Sequence, residues 1–573
     1  MKKKLSFLFP AGGTRRKVIR KLLVVLHLRN YTNTTYYNTW FWQQHQQPEL
    51  QFNQPITDGP QISVIVPVYN TSKRYFFEMI YSIISQAYQN WELILVNASD
   101  DDQKTAYIAE SIDKDRRIRL IKTKNAGISA NTNLGIAAAK GSFIAFVDHD
   151  DTLDPYALYE VAKAITGNDA ELIYSDEDKI SDDSQTYFDP HYKPDWSPDL
   201  FTHVNYINHL TVVKLELLNK VGALDPSKDG AQDYDLLLRV IDQKPVIYHI
   251  PRVLYHWRSV LNSTAQNFES KRDITLAGVA ALSEHFARRG IQGAKVTAKE
   301  NRPGFYETQL QPYQNITLII MPFASDALFR LYTELLLLKT NLKNIKLELI
   351  IPEGVEPTKE IKNIRLKVLP TSHSFLEEAL SAADNEAIIV ISQVMLPLQK
   401  KWLEKLSGLL RLNHVAAVAP LIVAHGSTIE DAGLVKVGNG NLEPLFYGAP
   451  FLNNQTFFGN TDWVRNVDSL SGGFILSRKK DLAGYLHETK PKGAFKQQLQ
   501  SFSANAPEDR FNVIYSDVLF DNYSICLRSG RHQKSFYNPN LQGGASGFGL
   551  YTSEAAAISI LALEKEVEEG KVL

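Results

Sequence analysis

The chain has 573 residues, of which 44% are apolar and 22% are charged, a composition typical of a soluble globular protein with two or more domains. The formal net charge of −1 gives no electrostatic argument for nucleic-acid binding. A single cysteine, Cys526, excludes a disulfide framework and favours a reducing, cytoplasmic compartment. No apolar run approaches the ~20 residues that a membrane-spanning helix requires.

The first 58 residues differ from the rest of the chain because nine lysines and arginines precede the first acidic residue, Glu49. Within this arm, residues 15–28 have apolar side chains at helical spacing, and a basic amphipathic helix can bind the anionic surface of a membrane. The aromatic residues between 36 and 42 would lie at that surface or pack on the next domain. We therefore predict a membrane-surface or partner-docking arm that ends in a linker over residues 53–60.

From residue 62 onward, strand patterns alternate with helix patterns. The predicted strands cover residues 62–68, 92–96, 118–121, 143–147, 172–175 and 246–250. This alternation predicts an α/β fold with a doubly wound, mostly parallel sheet. The right-handed crossover rule places the loops at residues 69–74, 97–102 and 148–154 along one edge, where a nucleotide should bind. Glycine-rich signatures are absent after the first strand, which disfavours dehydrogenases and P-loop kinases.

An acidic turn follows the fourth of these strands. The stretch FIAFVDHDDTLD places Asp148, His149, Asp150 and Asp151 directly after five apolar residues. Like charges this close together are costly unless a cation or hydrogen-bond donors offset them, which favours a site for a divalent metal and a diphosphate. The alternative is a solvated turn in which Asp151 or Asp154 caps the next helix. This stretch alone leaves both interpretations open.

Seven motifs in a fixed order carry a resemblance to a known family. Four of them are ISVIVPVYN from Ile62, NAGIS from Asn125, DHDD from Asp148 and GAQDYD from Gly230. In this order and spacing they resemble family 2 glycosyltransferases, which have the GT-A fold, over residues 60–260. The other three are similar to signatures of the bacterial subgroup that assembles rhamnose-containing cell-surface polysaccharides and O-antigens: YSDEDK from Tyr174, KPDWSPDL from Lys193 and HIPRVLYHWR from His249.

The resemblance implies roles for three carboxylates. Asp148 and Asp150 would bind the ribose of a nucleotide-sugar and a divalent metal, Mg²⁺ or Mn²⁺, that bridges its diphosphate. Asp233 would be the general base, because an inverting transfer needs one carboxylate to take the proton from the attacking acceptor hydroxyl. The alternative for Asp233 is a helix N-cap, which is compatible with the catalytic role.

Further site residues follow from the same resemblance. The predicted nucleotide-sugar contacts are Pro67, Tyr69, Asn70, Asn97, Asp100, Asn125, Gly127, Asp148 and Asp176. Asn97 stands where the family usually has an aspartate, so the expected carboxylate is missing unless Asp100 reaches in. His256 would be a late metal ligand, with a structural histidine as the alternative. Trp196 and Gln232 would contact the acceptor, with a core position as the alternative for Trp196.

The second half of the chain repeats the strand pattern of the first. Predicted strands over residues 316–321, 347–351 and 387–391 indicate a second domain of the same architecture. Ser392, Gln393 and Val394 follow the last of these strands, where the first half has its acids, and neutral side chains cannot offset the charge of a metal ion. We assign the position of the general base to Asn522, with Asp468 and Asp521 as substitutes.

These features divide the chain into an arm at residues 1–58, a catalytic GT-A domain at 59–305 and a degenerate GT-A-like domain at 316–573. The second domain would serve acceptor binding, dimerisation or scaffold stability, and it would end in a helix over residues 553–569.

The expected function is transfer of rhamnose from dTDP-rhamnose to a lipid-linked or polysaccharide acceptor. The enzyme would act in the cytoplasm or at the inner face of the cell membrane, as a monomer or a homodimer. The alternatives are a non-catalytic scaffold in polysaccharide assembly and a sugar nucleotidyltransferase. Residues 67–73 lack the glycine- and lysine-rich phosphate loop of a nucleotidyltransferase.

Overall fold

The computed structural model describes residues 37–38, 56–100, 106–112, 115–259, 268–300, 302–322, 326–357, 362–424, 428–437, 440–451, 455–456 and 458–522. The predictions for the basic segment before residue 37, for Cys526 and for the helix over residues 553–569 lie outside these ranges. No helix within them combines the length and the apolar character needed to cross a bilayer.

The first module contains nine strands and eight α-helices in the part of the chain described. Its strands are β1 (Ile62–Val68), β2 (Trp91–Asn97), β3 (Ile118–Lys122), β4 (Phe143–Phe146), β5 (Thr152–Leu153), β6 (Leu172–Ser181), β7 (Tyr187–His191), β8 (Thr211–Lys214) and β9 (Ile247–Ser259). Its helices are α1 (Lys73–Ile84), α2 (Ala106–Ile112), α3 (Ile128–Ala138), α4 (Ala157–Asn168), α5 (Pro198–Phe201), α6 (Leu215–Val221), α7 (Gln232–Ile241) and α8 (Phe268–Arg288). A hairpin of β10 (Lys295–Ala298) and β11 (Tyr306–Gln309) follows, and it crosses the predicted domain end at residue 305.

The nine strands form one sheet in the order β3-β2-β1-β4-β8-β6-β9-β5, with β7 paired to β6. Strands β1 to β4 are parallel, and the apolar runs of β1, β2 and β4 are buried on both faces, while β3 at the edge is half-buried. The predicted α/β fold with a mostly parallel sheet is confirmed. The sequence did not reveal β8, because four residues are too few to show a periodicity, and β8 runs antiparallel between β4 and β6.

Alternate side chains of the central strand supply two separate cores. Val64 and Val66 point into the core on one face of the sheet. Ile65 points into the core on the other face, which continues without a break into the second half of the chain. The two modules therefore share one apolar core.

The second module repeats the first with additional strands. Its strands are β12 (Asn315–Ile320), β13 (Lys346–Pro352), β14 (Ile364–Leu369), β15 (Ala387–Ile391), β16 (Met395–Pro397), β17 (Val415–Ala424), β18 (Thr428–Asp431), β19 (Leu434–Lys436), β20 (Leu442–Pro444), β21 (Gln455–Thr456), β22 (Gly459–Asn460), β23 (Arg465–Val467), β24 (Phe474–Arg478) and β25 (Phe511–Asn522). Its helices are α9 (Asp326–Leu338), α10 (Phe375–Ala382), α11 (Trp402–Leu409), α12 (Lys479–Thr489) and α13 (Phe495–Ala504).

Strand order shows that the two modules have the same topology. The second sheet runs β14-β13-β12-β15-β24-β17-β25-β16, and each neighbouring pair has the direction of its counterpart in the first sheet. A buried carboxylate also occupies the same register in both. Ser63 Oγ donates to Glu92 Oε1 at 2.7 Å, and Thr317 Oγ1 donates to Glu348 Oε2 at 2.7 Å. The predicted tandem arrangement is confirmed.

A buried aspartate joins the modules. Asp199 is 2% exposed, and its Oδ2 accepts a hydrogen bond from Asn466 Nδ2 at 2.7 Å. The backbone N–H of Asp199 donates to Asn466 Oδ1 at 3.1 Å, and His414 Nε2 lies 3.4 Å from Asp199 Oδ1. Both partners belong to the second module, so Asp199 bonds the two modules through a buried polar contact.

We expect Asp199→Ala to lower the free energy of unfolding by about 1–3 kcal/mol, because it leaves the buried amide of Asn466 without an acceptor. Urea denaturation followed by tryptophan fluorescence measures this loss. Glu216→Ala is the control, since Glu216 is 81% exposed and an exposed ion pair contributes little. Equal stability of the two variants would contradict the role of Asp199.

Candidate active site

The acidic turn lies at the carboxyl end of β4, next to the end of β1. The N–H of Val147 donates to the carbonyl of Ile65 at 3.2 Å, and the chain then leaves the sheet. The side chains of Asp148 and Asp150 are 42% and 35% exposed. Partial burial raises the pKa of Asp150, and the charge of Asp148 acts in the same direction while His149 opposes it. Two like charges therefore face one open edge of the sheet.

Asp151 holds this turn from inside the protein. Its carboxylate accepts hydrogen bonds from the Arg258 N–H at 2.7 Å and from the Tyr255 hydroxyl at 2.6 Å. The same hydroxyl accepts from the N–H of Asp148 at 3.2 Å. Asp151 is therefore an anchor to β9 and does not cap a helix. Asp154 Oδ1 accepts from the Tyr156 N–H at 2.9 Å in the turn before α4, but the N-cap of that helix is Tyr156, so the capping alternative is wrong for both aspartates.

The predicted general base begins helix α7 on the same side of the sheet. Asn205 Nδ2 donates to Asp233 Oδ2 at 2.9 Å. Burial raises the pKa of Asp233, with the charge of Asp148 adding to the effect and that of His209 opposing it. His209 Nε2 lies 3.7 Å from Asp148 Oδ2, and its ring stacks on Tyr255 with centroids 4.6 Å apart. The structure thus brings Asp148 and Asp233 close enough to influence each other, around one imidazole.

Sequence reasoning missed His209 and Asn205. They lie just before β8, which runs antiparallel to β4, so the start of β8 meets the carboxyl end of β4. Because the sequence did not reveal β8, no sequence pattern marked these two residues.

A second missed interaction, between Lys193 and Glu177, holds the segment that carries His209. The Lys193 ammonium donates to Glu177 Oε2 at 3.2 Å, to the Ile207 carbonyl at 2.6 Å and to the His209 carbonyl. Burial pushes the pKa of Glu177 upward, but the charges of Lys193, His191 and His209 outweigh it and bring this pKa down to about 2. A buried ion pair therefore fixes the backbone beside the acidic turn.

The predicted nucleotide-binding residues at the ends of β1 and β2 form one cluster. Asp100 Oδ2 accepts hydrogen bonds from the Tyr69 hydroxyl at 2.7 Å and from Asn70 Nδ2 at 3.0 Å. Asp100 therefore reaches in and places a carboxylate at this edge. Asn97 is buried and shapes the turn, with its Oδ1 accepting from the Ser99 N–H at 3.1 Å. Pro67 lies in β1, where it pairs with Val96 of β2.

Asn125 and Gly127 form the turn that enters α3. Asn125 Oδ1 accepts from the Gly127 N–H at 3.1 Å. Gly127 has a φ of +94°, and a Cβ there would lie 2.6 Å from Asp229 Oδ2, so only glycine fits. Gly127 is the N-cap of α3. Ser129 lies in the first turn, and its N–H donates to Asp229 Oδ1 at 3.3 Å.

Asp176 and His256 lie in buried networks away from the open edge. Asp176 Oδ1 accepts from the Lys193 N–H at 2.8 Å and lies 2.9 Å from His249 Nε2. His256 Nδ1 lies 2.6 Å from Asp178 Oδ1. The two side chains are only 2% and 3% exposed. This arrangement gives no support to a donor contact for Asp176 or to a metal-ligand role for His256.

The other oxygen of Asp178 accepts a hydrogen bond from the N-terminal arm. The Tyr37 hydroxyl is the donor, at 2.7 Å from Asp178 Oδ2, and Tyr37 is 4% exposed. The backbone N–H of Tyr187 also donates to Asn38 Oδ1, at 3.0 Å. This aromatic residue of the arm packs on the first module, which was one of the two expectations for the aromatic cluster.

The two predicted acceptor residues differ in their surroundings. Trp196 is half-buried, packs on Phe201 with ring centroids 5.5 Å apart, and lines a recess of about 310 Å³ together with His414 of the second module. Gln232 Oε1 accepts from the Gly230 N–H at 2.6 Å, a local contact that shapes the start of α7. The structure does not place these two side chains together.

The second module has other residue types at each position of the acidic site. The pairing of β15 with β12 aligns Ser392 with Asp148, because Ile316 faces Ala387 as Ile62 faces Phe143. The pairing of β24 with β15 likewise aligns Gly473 with His209.

The counterpart of the general base is Lys496, which corrects the assignment to Asn522. Gly230 and Gly493 both have a positive φ, of 93° and 111°, and each precedes a helix that leads into the long last strand. Lys496 therefore matches Asp233 as the second residue of that helix. Asn522 lies in β25 opposite Met395, in a strand that matches β9.

The acidic turn fits a divalent metal that binds together with the phosphates of a substrate. Among the residues described, no group of three or more His, Cys, Asp or Glu side chains is arranged to hold a metal ion. Mg²⁺, however, usually binds through one or two carboxylates together with substrate phosphates and water. Asp148 and Asp150 supply such a pair.

Comparison with known proteins gives the same fold and family. Residues 63–217 match the model of glycosyl transferase family 2. The O-antigen biosynthesis protein RfbC of Myxococcus xanthus is 32% identical over 436 residues, which are 74% of this chain and 34% of that protein. The protein y4gI of Sinorhizobium fredii (strain NBRC 101917 / NGR234) is 32% identical over 467 residues, which are 77% of this chain and 50% of that protein.

Among solved structures, S. aureus TarS 1-349 in complex with UDP-GlcNAc aligns with 40% of this chain and 72% of its own, at 19% identity and a TM-score of 0.31. The chain spans about a third and a half of the lengths of the two relatives named above. The family model, the relatives and the strand order together show that residues 63–217 belong to a glycosyl transferase family 2 domain and that the chain has the GT-A fold.

Proposed function

We propose that the chain is an inverting glycosyltransferase that moves a sugar from a nucleoside-diphosphate donor to a hydroxyl of a growing cell-surface glycan. The observation that carries the proposal is that Asp148 and Asp233 both lie near His209, with Asp150 beside Asp148, at the carboxyl edge of the sheet. The name of the Myxococcus relative, an O-antigen biosynthesis protein, supports the class of product.

The chemistry needs two kinds of carboxylate, and the site has both. Asp148 and Asp150 would hold Mg²⁺ or Mn²⁺ together with the donor diphosphate, and the metal would offset the negative charge that grows on the leaving group. Asp233 takes the proton from the acceptor hydroxyl. Its raised pKa makes it a stronger base than an ordinary aspartate. Asn205 holds the Asp233 carboxylate in place through the hydrogen bond from its amide.

The cluster at the ends of β1 and β2 is the proposed binding place for the nucleoside. Tyr69, Asn70 and Asp100 offer a ring face, an amide and a carboxylate at the exposed edge. These groups can stack on a base and hydrogen-bond to a ribose.

The proposed donor is dTDP-rhamnose. It rests on the similarity of the motifs at Tyr174, Lys193 and His249 to the rhamnose-assembling subgroup. We also propose that the protein acts in the cytoplasm, that its N-terminal arm contacts the membrane surface and that it forms a homodimer.

The second module is proposed to be catalytically inert and to serve acceptor binding or stability. Ser392, Gly473 and Lys496 stand at the positions of Asp148, His209 and Asp233. None of the three is a carboxylate that could hold a metal ion or accept a proton from a hydroxyl.

We expect Asp233→Asn and Asp150→Asn each to lower the transfer rate by at least about 10²-fold. The first variant removes the general base, and the second removes a proposed metal ligand. The assay measures nucleoside diphosphate released from a panel of nucleotide-sugars that includes dTDP-rhamnose, with Mg²⁺ or Mn²⁺. Lys496→Ala is the matched control in the second module and should keep the full rate. Turnover retained in either aspartate variant would refute the assigned roles, and release from no donor would favour the scaffold alternative.

The pH dependence should report Asp233. The base must be deprotonated, so kcat/KM should rise with pH through a pKa above the ordinary aspartate value. Asn205→Ala removes a hydrogen bond that favours the charged carboxylate, which should raise this pKa and move the acidic limb upward by about one pH unit. Asn133→Ala, which loses hydrogen bonds to the backbone of Leu224 only, is the control. If the acidic limb of the kcat/KM profile of Asn205→Ala lies at the same pH as in the wild type, Asn205 does not act through Asp233.

A further inference from the structure

A large cavity lies between the two modules. It has a volume of about 1040 Å³, at the upper limit of the roughly 300–1,000 Å³ of small-ligand pockets, so it can hold several linked sugar rings. We call it the inter-module cavity. Its first-module wall includes Tyr192, Lys193 and Leu200, and its second-module wall includes Phe446, Tyr447, Phe458 and Arg465.

We propose that the inter-module cavity binds the acceptor glycan and delivers its terminal hydroxyl to Asp233, and this inference rests on the proposed function. The second module would then supply acceptor contacts to the catalytic site of the first.

The position of the cavity separates it from the donor edge. The nucleoside cluster lies at β1 and β2, on one side of the acidic turn of β4. The first-module wall of the cavity follows β7, which pairs with β6 on the other side of β4 in the sheet order. A ligand in the cavity would therefore approach the turn from the side opposite the donor.

Two contacts connect the cavity wall to the catalytic carboxylates. Lys193 donates to the carbonyls of Ile207 and His209, and His209 lies 3.7 Å from Asp148. On the other side, Leu200 precedes Phe201, whose carbonyl accepts from the Tyr234 hydroxyl at 2.5 Å. Tyr234 follows Asp233 in α7, so the wall adjoins both the metal-binding turn and the base.

The aromatic side chains of the cavity suit a glycan. Phe458 and Tyr447 are 53% and 39% exposed, and Tyr192 lies beside Phe458 with ring centroids 6.0 Å apart. The face of an aromatic ring is electron-rich and attracts the polarised C–H groups on the flat side of a sugar. The two exposed rings of the second-module wall and the half-buried ring of Tyr192 on the first-module wall can bind successive sugars of a chain.

A buried guanidinium stands behind the aromatic side chains of the second-module wall. Arg465 is 6% exposed, and one terminal nitrogen donates to the carbonyls of Phe458 and Asn460 at 3.0 and 2.7 Å. Its Nε is buried without a hydrogen-bond partner, and no carboxylate within the described ranges forms an ion pair with it. The guanidinium also lies over the ring of Phe446, with 4.7 Å between its carbon and the ring centroid, so Arg465 holds the second-module wall in place.

The test uses the full chain and the double variant Tyr447→Ala/Phe458→Ala. The acceptors are oligosaccharides released by mild acid from the surface polysaccharide of the bacterium that carries the gene. With dTDP-rhamnose saturating, the acceptor KM should rise at least about tenfold, while the donor KM and acceptor-free donor hydrolysis stay unchanged. Tyr81→Ala, at a 73% exposed tyrosine of α1, is the control. An acceptor KM within twofold of the wild type would overturn the proposal.

A binding measurement separates this proposal from the proposed function. Isothermal titration with the same oligosaccharides, without donor, should show binding to the wild type and to Asp233→Asn and a loss of at least about tenfold in Arg465→Gln. Thermal melting confirms that Arg465→Gln is folded, and the double variant replaces it if it is not. A wild type that binds but transfers nothing would refute the proposed function only. A wild type that binds none of these oligosaccharides would refute the acceptor cavity.

Discussion

The arrangement of the site depends on one buried carboxylate, that of Asp151. Its two hydrogen bonds, from the Arg258 N–H and the Tyr255 hydroxyl, fasten the acidic turn to β9. Tyr255 also holds the backbone of Asp148 and supports the ring of His209. Two exposed like charges would repel each other and spread apart in a loose loop. Here the hydrogen bonds of Asp151 hold the turn in place, so the two charges stay close together. A bound cation can then relieve their repulsion.

The sequence predicted the structural features that depend on residues close together in the chain. The buried parallel strands and the acidic turn follow from apolar runs that end in charge, and the tandem fold follows from their repetition. Asn205, His209 and Asp229 were missed because each acts on a residue 28 to 100 positions away, which a periodicity cannot show. His256 and Asp176 were predicted as site residues because their motifs resemble those of the family. In the structure both side chains are buried.

The duplicated fold separates residues that maintain the sheet from residues that perform chemistry. Both modules have the buried hydroxyl–glutamate pair at the same register and a positive-φ glycine before the helix that leads into the long last strand of the sheet. The second module lacks the acids, the imidazole and the base, and it has six strands between β17 and β24. These extra strands include one wall of the inter-module cavity. The second copy has thus exchanged catalytic residues for surface that faces the first copy.

The apolar core that runs through both modules has a consequence for the evolution of the gene. A domain that folds alone can be lost, swapped or shuffled, since its interior closes on itself. Here one of the two cores of the first module continues into the second half, so a break between the halves would expose core side chains and remove the partners of Asp199. Recombination can therefore transfer the pair only as a unit. Even without any catalytic residue, the second half would remain under selection for the shape of its inner face.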